Sequence, residues 1–383
     1  PQGPIPGFRF PFLYQNRTMV AGAAAGNTGN RMDYSASGTP DVWNGEDSSD
    51  QGKEIYVGDD EELMSGAELL DQYSSLSGRI IQSIAVLHKR RQTWMLRGAT
   101  PDTFQLFPVS LTIGNPCPLT LAVADVTSNP ATQEQKTVAM WVSAVGPMMY
   151  DGATLLPMAY RQADGQVSSI APYFDPNDSR YVTVGSFLNA RGWFDPQWGE
   201  YHVLLPTAGA TTCNVWLVCD LRRRKWFRNV PTTVPQMGFN VVDATGGSYV
   251  YAGIDTGFLL RLNNGTTWDG TSIVHGLDTA DLLPTGSLWD VTLLRYLKVG
   301  VVRETGVSAV LTLGHAADGS GTFTTQASLD LVGGTARWRR VTQALNLRAL
   351  SHQWQLSVTT SEKARAPQLL GLGFLFRVER MEI

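Results

Sequence analysis

Apolar and polar positions alternate most clearly in the stretch Cys213–Val230, CNVWLVCDLRRRKWFRNV. Val215, Leu217 and Cys219 alternate with Trp216, Val218 and Asp220, a basic reversal follows, and a second short run carries Trp226 and Phe227. A period of two closed by a charged turn predicts a β-hairpin with one buried face. The order of apolar strand, basic turn and Trp-bearing return reads as the outer hairpin of one propeller blade. Residues 78–98 repeat it: Ile84, Val86 and His88 alternate, Lys89-Arg90-Arg91 turn the chain, and Thr93–Leu96 return. Weaker echoes lie at 137–160, 180–206 and 238–268, with 213–230 either completing the fourth or opening the next. Their spacing, roughly 40–60 residues, overlaps the length of a propeller blade. Neither the WD40 nor the kelch signature recurs at a fixed phase.

One segment breaks the β pattern. Leu63, Ala67 and Leu70 fall on one helical face after the acidic run Asp59–Glu62, so a short helix is expected with those acids capping its N-terminus. The character changes again near 276–290, where LDTADLLPTGS reads as a linker. Beyond it, Val299, Val301 and Arg303 alternate with their neighbours, Asp318-Gly319 marks a hairpin turn, and Trp354, Leu356 and Val358 alternate in turn. This is a compact sandwich pattern closed by a last strand with Phe374, Phe376 and Val378. The expected fold is all-β: an irregular β-propeller with long loops over residues 1–280 and a C-terminal β-sandwich over 281–383.

Composition supports this class. Of 383 residues, 43% are hydrophobic and 17% charged, with 38 Gly and 20 Pro, as in turn-rich β proteins. A net charge of -4 argues against a dedicated nucleic-acid binder, which needs a basic field. Cys117, Cys213 and Cys219 cannot all pair within one chain and read as buried thiols of a reducing compartment. Cys213 and Cys219 are expected on one strand, sharing a face but too far apart to bridge. No apolar run of about 18 residues predicts a membrane span, and no signal peptide is visible. The chain begins at Pro1, as expected of a segment inside a longer polypeptide.

Candidate chemistry is sparse. Asp41, Asp47 and Asp50 lack the order of a calcium loop and read as solvated loop acids. Asn263-Asn264-Gly265-Thr266-Thr267-Trp268 resembles the Asp-box turn of sialidase-like propellers, with Asn263 in place of the acid and Arg261 in place of the usual hydroxyl residue. That turn is structural and carries no catalysis. Asp220 with Arg222, Arg223, Arg224 and Lys225 offers cations to a phosphate, but reads more simply as a charged hairpin tip that keeps an edge soluble. His88 beside its turn reads as a hairpin-end residue. The other histidines (His202, His275, His315, His352) are not spaced as a metal pair. Trp193 and Trp198, in RGWFDPQWGEY, are candidates for a glycan-binding surface, with blade packing as the simpler role. No P-loop, G-x-S-x-G, H-E-x-x-H or dinucleotide fingerprint occurs. No catalytic, cofactor-binding or metal-binding residue is assigned, and no cofactor is expected.

Four segments carry a resemblance: Tyr34–Glu46 (YSASGTPDVWNGE), Ser83–Gly98 (SIAVLHKRRQTWMLRG), Val215–Val230 and His352–Phe374 (HQWQLSVTTSEKARAPQLLGLGF). In their order the chain resembles the β-propeller virion proteins of tailed bacteriophages, namely tail nozzle or tail tubular proteins and head-completion, packaged-DNA stabilisation proteins. The resemblance implies a structural protein of the phage neck or tail, made in the bacterial cytoplasm and built into the virion. Copies of itself would form a ring around the DNA-exit conduit, beside portal, adaptor or other tail proteins, with transient contact to exiting DNA. It implies no catalytic residues, so the expectation is that the protein is not an enzyme. A low-charge acidic lining suits passage of DNA, since affinity scales with cations placed on phosphates. Two other readings stand beside it: a glycan- or receptor-binding propeller at the tail tip, and a sialidase-like glycosidase in which clustered acids would be essential.

Overall fold

The computed structural model describes residues 7–23, 29–40, 42–43, 54–75, 78–129, 134–159, 169–262, 267–268, 271–287, 289–302, 310–331, 338–360 and 369–379. The chain divides into two compact units, Pro1–Leu262 and Asn263–Ile383. The division falls before the linker expected near 280 because the strand Thr271–Asp278 pairs with the strand His352–Thr360, inside the second unit.

The first unit is an irregular β-propeller of antiparallel blades, each a meander of sequential strands. Blade 1 holds β1 (Phe8–Tyr14), β2 (Arg17–Ala23), β3 (Arg31–Tyr34) and β4 (Glu54–Tyr56). Blade 2 holds β5 (Leu63–Ser75), β6 (Gly78–Lys89), β7 (Thr93–Arg97) and β8 (Gln105–Ser110). Blade 3 holds β9 (Ala122–Asn129), β10 (Glu134–Ser143), β11 (Gly146–Tyr150) and β12 (Leu155–Pro157). Blade 4 holds β13 (Arg191–Asp195), β14 (Glu200–Leu205), β15 (Val215–Asp220) and β16 (Lys225–Asn229). Blade 5 holds β17 (Met237–Val242), β18 (Ser248–Gly253) and β19 (Leu259–Arg261). Residues 213–230 therefore complete the fourth blade, and blade 1 is a unit that the apolar pattern did not signal.

Blades 1 to 4 pack face to face in sequence, so the inner blades bury both faces. Tyr14, Met19 and Met32 of blade 1 pack with Leu63, Ala85 and Leu87 of blade 2. Leu69, Ile84 and Val86 of blade 2 pack with Trp141, Met148 and Tyr150 of blade 3. Val138, Met140 and Val142 of blade 3 pack with Tyr201, Val203, Leu217 and Cys219 of blade 4. Because both faces are used, strands such as β10 and β15 read as nearly continuous apolar runs rather than clean alternations.

The helix expected over Leu63–Leu70 is a strand. β5 pairs with β6 along its length, with Ala67 opposite Val86 and Leu69 opposite Ile84. Leu63 and Leu69 are buried whereas Leu70 is 45% exposed, so the helical spacing of Leu63, Ala67 and Leu70 was a coincidence of composition. The acids before it cap no helix. Lys89, whose side chain is fully buried at the β6–β7 turn, donates from Nζ to the carboxylate and the backbone carbonyl of Asp59. Gln92 Nε2 donates to the same carboxylate at 2.7 Å, and Glu62 meets Arg9 at 2.8 Å.

All three cysteines are buried and free. Cys213 lies ahead of β15 rather than on it, its Sγ directed at the Asn189 carbonyl at 3.3 Å, so it does not share a strand face with Cys219.

The second unit is a β-sandwich. It comprises β20 (Thr267–Trp268), β21 (Thr271–Asp278), β22 (Val291–Val302), β23 (Val310–Ala317), β24 (Thr324–Asp330), β25 (Trp338–Ala349), β26 (His352–Thr360) and β27 (Leu369–Glu379). One sheet has the order β20-β21-β26-β23-β24 and the other β25-β22-β27. Leu294, Leu297, Val299 and Val301 from one sheet meet Leu311, Leu313, Trp354, Leu356 and Val358 from the other. No helix among the described residues is long and apolar enough to cross a membrane.

Candidate functional site in blade 4

The register of blade 4 assembles a site that no short motif announces. Asp195 lies opposite Glu200 in the β13–β14 pair, Glu200 opposite Asp220 in the β14–β15 pair, and Asp220 opposite Lys225 in the β15–β16 pair. Directly opposed residues share a sheet face, so three carboxylates and an ammonium form one row. The next row on that face is Trp193, His202, Val218 and Phe227. The reverse face, with Phe194, Tyr201, Cys219 and Trp226, packs toward blade 3.

Two of the three carboxylates serve the turns. Asp195 Oδ1 accepts the backbone N–H of Gln197 at 2.9 Å and of Trp198 at 3.3 Å. Asp220 Oδ1 accepts the N–H of Arg222 at 2.9 Å and of Arg223 at 3.0 Å, and its Oδ2 lies 3.4 Å from the Arg223 guanidinium. The two turns are tied together: Leu221 N–H donates to the Gly199 carbonyl at 3.1 Å, and the Arg222 guanidinium donates to the Trp198 carbonyl. Gly199 holds φ at +67°, where a side chain would also approach Arg222.

Glu200 is the carboxylate left facing solvent, its side chain 29% exposed. Burial raises its pKa above the ordinary 4.5, the Asp195 and Asp220 carboxylates raise it further, and Arg222 and Arg223 oppose them. A carboxyl that burial and neighbouring carboxylates push toward its neutral form is one element of acid–base sites.

Behind Glu200 sits His202, 3% exposed. Its ring stacks on Trp193 with centroids 4.8 Å apart and planes 5° apart. Trp216 Nε1 donates to its Nδ1 at 3.1 Å, so the neutral imidazole carries its proton on Nε2. Nε2 lies 3.6 Å from Glu200 Oε2, outside hydrogen-bond reach. Burial drives the His202 pKa down to about 3, and the ring is neutral at physiological pH.

The remaining candidates fall elsewhere. Trp193 is 5% exposed and packs its ring against Gly238 of blade 5, so it is a blade-packing residue and offers no platform to a glycan. Trp198 is half-buried in the β13–β14 turn. Arg222, Arg223, Arg224 and Lys225 form the exposed β15–β16 tip, as expected. His88 stands at the end of the β6–β7 hairpin, as expected, opposite Thr93, and is fully buried: its ring lies 4.2 Å from that of Trp141, and its Nδ1 is 3.2 Å from Ser65 Oγ. His315 and His352, which are 37 residues apart, meet at 2.9 Å. Thr267 and Trp268 form β20 of the second unit, and Arg261 lies over the Tyr249 ring at 3.8 Å. Asn263–Thr266, Asp41, Asp47 and Asp50 lie outside the described residues. Among the described residues no group of three or more His, Cys, Asp and Glu is arranged to hold a metal ion.

No protein-family model and no curated protein sequence matches the chain. It is similar to solved structures of β-propeller glycoside hydrolases. The exo-β-1,3-galactanase of Phanerochaete chrysosporium with galactose is 10% identical, with 94% of this chain and 93% of that one covered and a TM-score of 0.29. Trypanosoma rangeli sialidase is 7% identical, with 96% and 80% covered and a TM-score of 0.30. A family 43 arabinoxylan arabinofuranohydrolase of Bacillus subtilis is 9% identical, with 96% and 94% covered and a TM-score of 0.18. The expectation that the protein is not an enzyme is corrected by these findings, since the structures it is similar to are enzymes. At this identity the likeness transfers no catalytic residue to the chain.

Proposed function

We propose that this β-propeller protein is a structural component of a tailed-phage virion, arranged in several copies around the DNA-exit conduit beside portal, adaptor or tail proteins. The observation that supports the reading is where three of the four resembling segments fall. Ser83–Gly98 carries His88, which packs on Trp141 of the next blade. Val215–Val230 carries Trp216, which holds His202. His352–Phe374 carries His352 and Trp354 at the heart of the sandwich. The resemblance thus follows the packing skeleton of both units. A net charge of -4 is compatible with a wall past which DNA slides, because few cations are available to capture phosphates. Immunogold labelling of particles from the source lysate tests the reading. Label at one vertex or along a tail is expected; unlabelled particles, with the protein free in the lysate, would overturn it.

A second reading, glycan recognition or hydrolysis, is favoured by one observation: the Asp195–Glu200–Asp220 row, in which the solvent-facing Glu200 is the carboxyl biased toward its neutral form. Binding to an oligosaccharide array, followed by a hydrolysis assay on whatever binds, tests it. No binding to any sugar would overturn it.

A further inference from the structure

The two sheets of the sandwich differ in width, five strands against three. Trp354 of β26 stacks on Phe374 of β27, with ring centroids 5.6 Å apart. β21 pairs with β26 on the side away from β23, so it lies past the edge that β27 forms. Side chains on the core face are left uncovered there. Leu277 of β21 stands opposite Leu356, which is 4% exposed in the core, yet Leu277 is 51% exposed. On β27, Phe376 opposite Leu294 and Val378 opposite Thr292 share the inner face of their buried partners, but they are 36% and 39% exposed.

The edge beside this shelf is open. β27 pairs with β22 alone, so its other side presents a row of backbone N–H and C=O groups. The strand has 11 residues, and Leu369–Phe376 hold no charge and no proline. Soluble proteins blunt such an edge with charges or proline, or cover it. The opposite edge, β25, carries Arg339, Arg340 and Arg348. One further strand fits β27: its backbone continues the ladder, and alternate side chains settle on Leu277 beside Phe376. A second copy docking β27 against β27 does not fit, because its own β26 would enter the layer that β21 fills.

Charge selects the rest of that strand. The outer face of the three-stranded sheet is basic. Lys298 stands opposite Gly373, Arg348 and Arg377 flank Leu293, and Arg295 is exposed at the β22 bulge. Glu379, the one acid of these three strands, meets Arg348 at 3.0 Å. Opposite charges on neighbouring strands attract and like charges repel, so the outward positions next to Arg377 favour Asp or Glu.

We propose that the free edge of β27 is the docking site for an extended strand donated by a partner protein, apolar at the alternate positions that face β21 and acidic at those between. The site goes beyond both readings above and rests on the second unit alone.

The test titrates the full chain into a fluorescein-labelled octapeptide of alternating Val and Glu, with alternating Val and Lys as the charge control. Binding of the Val-Glu peptide, weaker binding of the Val-Lys peptide, and a loss of about tenfold or more in Leu277→Lys are expected. Leu277 is half exposed, and a melt matching wild type shows that the variant is folded. In wild type, the bound peptide should slow hydrogen exchange of the β27 amides, a readout that needs no variant. Absence of binding at millimolar peptide would overturn the site, as would binding that Leu277→Lys leaves unchanged or that protects no β27 amide. Equal binding of the two peptides would overturn the acidic character of the partner. None of these outcomes bears on immunogold labelling or on the oligosaccharide array.

Discussion

His315 Nε2 lies 2.9 Å from His352 Nδ1, and this contact sets a one-way chain of hydrogen bonds between the two sheets of the sandwich. Thr292 Oγ1 is 3.2 Å from the Ala349 carbonyl, to which it donates, and 2.8 Å from His352 Nε2, from which it accepts. His352 Nδ1 is then an acceptor, and His315 Nε2–H its donor. Both rings are neutral in this arrangement, and an added proton would set two N–H groups face to face.

Acid is therefore expected to weaken the second unit. Burial lowers the His352 pKa to about 4, His315 pushes the same way, and Asp318 and the bond to Thr292 oppose them. His315 is likewise lowered by burial, against Asp318. Of the other groups around the pair, Asp281 accepts from Ser351, and Trp354 packs on His315 at 5.0 Å. The folded state binds fewer protons than the unfolded one between the ordinary pKa of 6.5 and the folded value. Stability is thus complete above pH 6.5 and falls as pH drops toward 4, by at most about 1.4 kcal/mol per pH unit for each histidine. Urea unfolding between pH 7 and 4.5 checks this. A midpoint for the second unit that does not move would contradict it.

Replacing Glu200 should stabilise the protein at neutral pH. Like charges directly opposite each other across strands cost roughly 0.2–1 kcal/mol, and Glu200 faces two. Its raised pKa means that the ionised form is disfavoured on folding, so the penalty grows as pH rises through and above 4.5. Glu200→Gln should raise Tm at pH 7, with the gain fading under acid. Thermal melts at pH 7 and pH 4 measure both halves of this expectation.

Gly238→Ala is expected to destabilise the blade 4–blade 5 contact by about 1–3 kcal/mol, as overpacking does. A Cβ at Gly238 would lie 2.4 Å from the Trp193 ring, and Trp193 cannot retreat because His202 is stacked behind it. Chemical denaturation gives the size, and loss of the Trp193–His202 stack should appear in near-ultraviolet circular dichroism.

Asp59→Asn should cost about 1.5 kcal/mol, the value of a hydrogen bond to a charged group, because it removes the charge facing buried Lys89. Lys89→Met should cost less, since it removes the buried charge itself. Lys89 also lowers the Asp59 pKa, so its contribution is present above the ordinary 3.8 and lost as pH falls below it. Equal effects of the two substitutions would argue against this account.

What the pattern of residues made legible was local. The β15–β16 hairpin could be read because Val215–Cys219 is a short apolar run, buried on both faces rather than the one expected, and Arg222–Lys225 turns the chain within a few residues. β5 was misread because the signal for a helix, Leu63, Ala67 and Leu70, is also local, whereas what makes it a strand is pairing with β6. The Asp195–Glu200–Asp220 row and the His315–His352 contact are products of register between strands. Their members are ordinary residues in sequence, and only strand pairing brings them onto one face. A D-x-x-x-G-E turn beside two tryptophans was the available hint.

The three cysteines give the propeller a built-in clock. Burial raises the Cys117 thiol well above its ordinary pKa, and pushes Cys213 to about 11 and Cys219 to about 12. Thiolate is the reactive form, so alkylation in the folded state is suppressed twice, by access and by protonation. Each modification event then reports that a particular part of the molecule has opened. Cys219 reads the blade 3–blade 4 core, and Cys213 the Gln236 contact at the approach to blade 5. The order in which a pulse of thiol reagent marks them is the order in which the blades come apart.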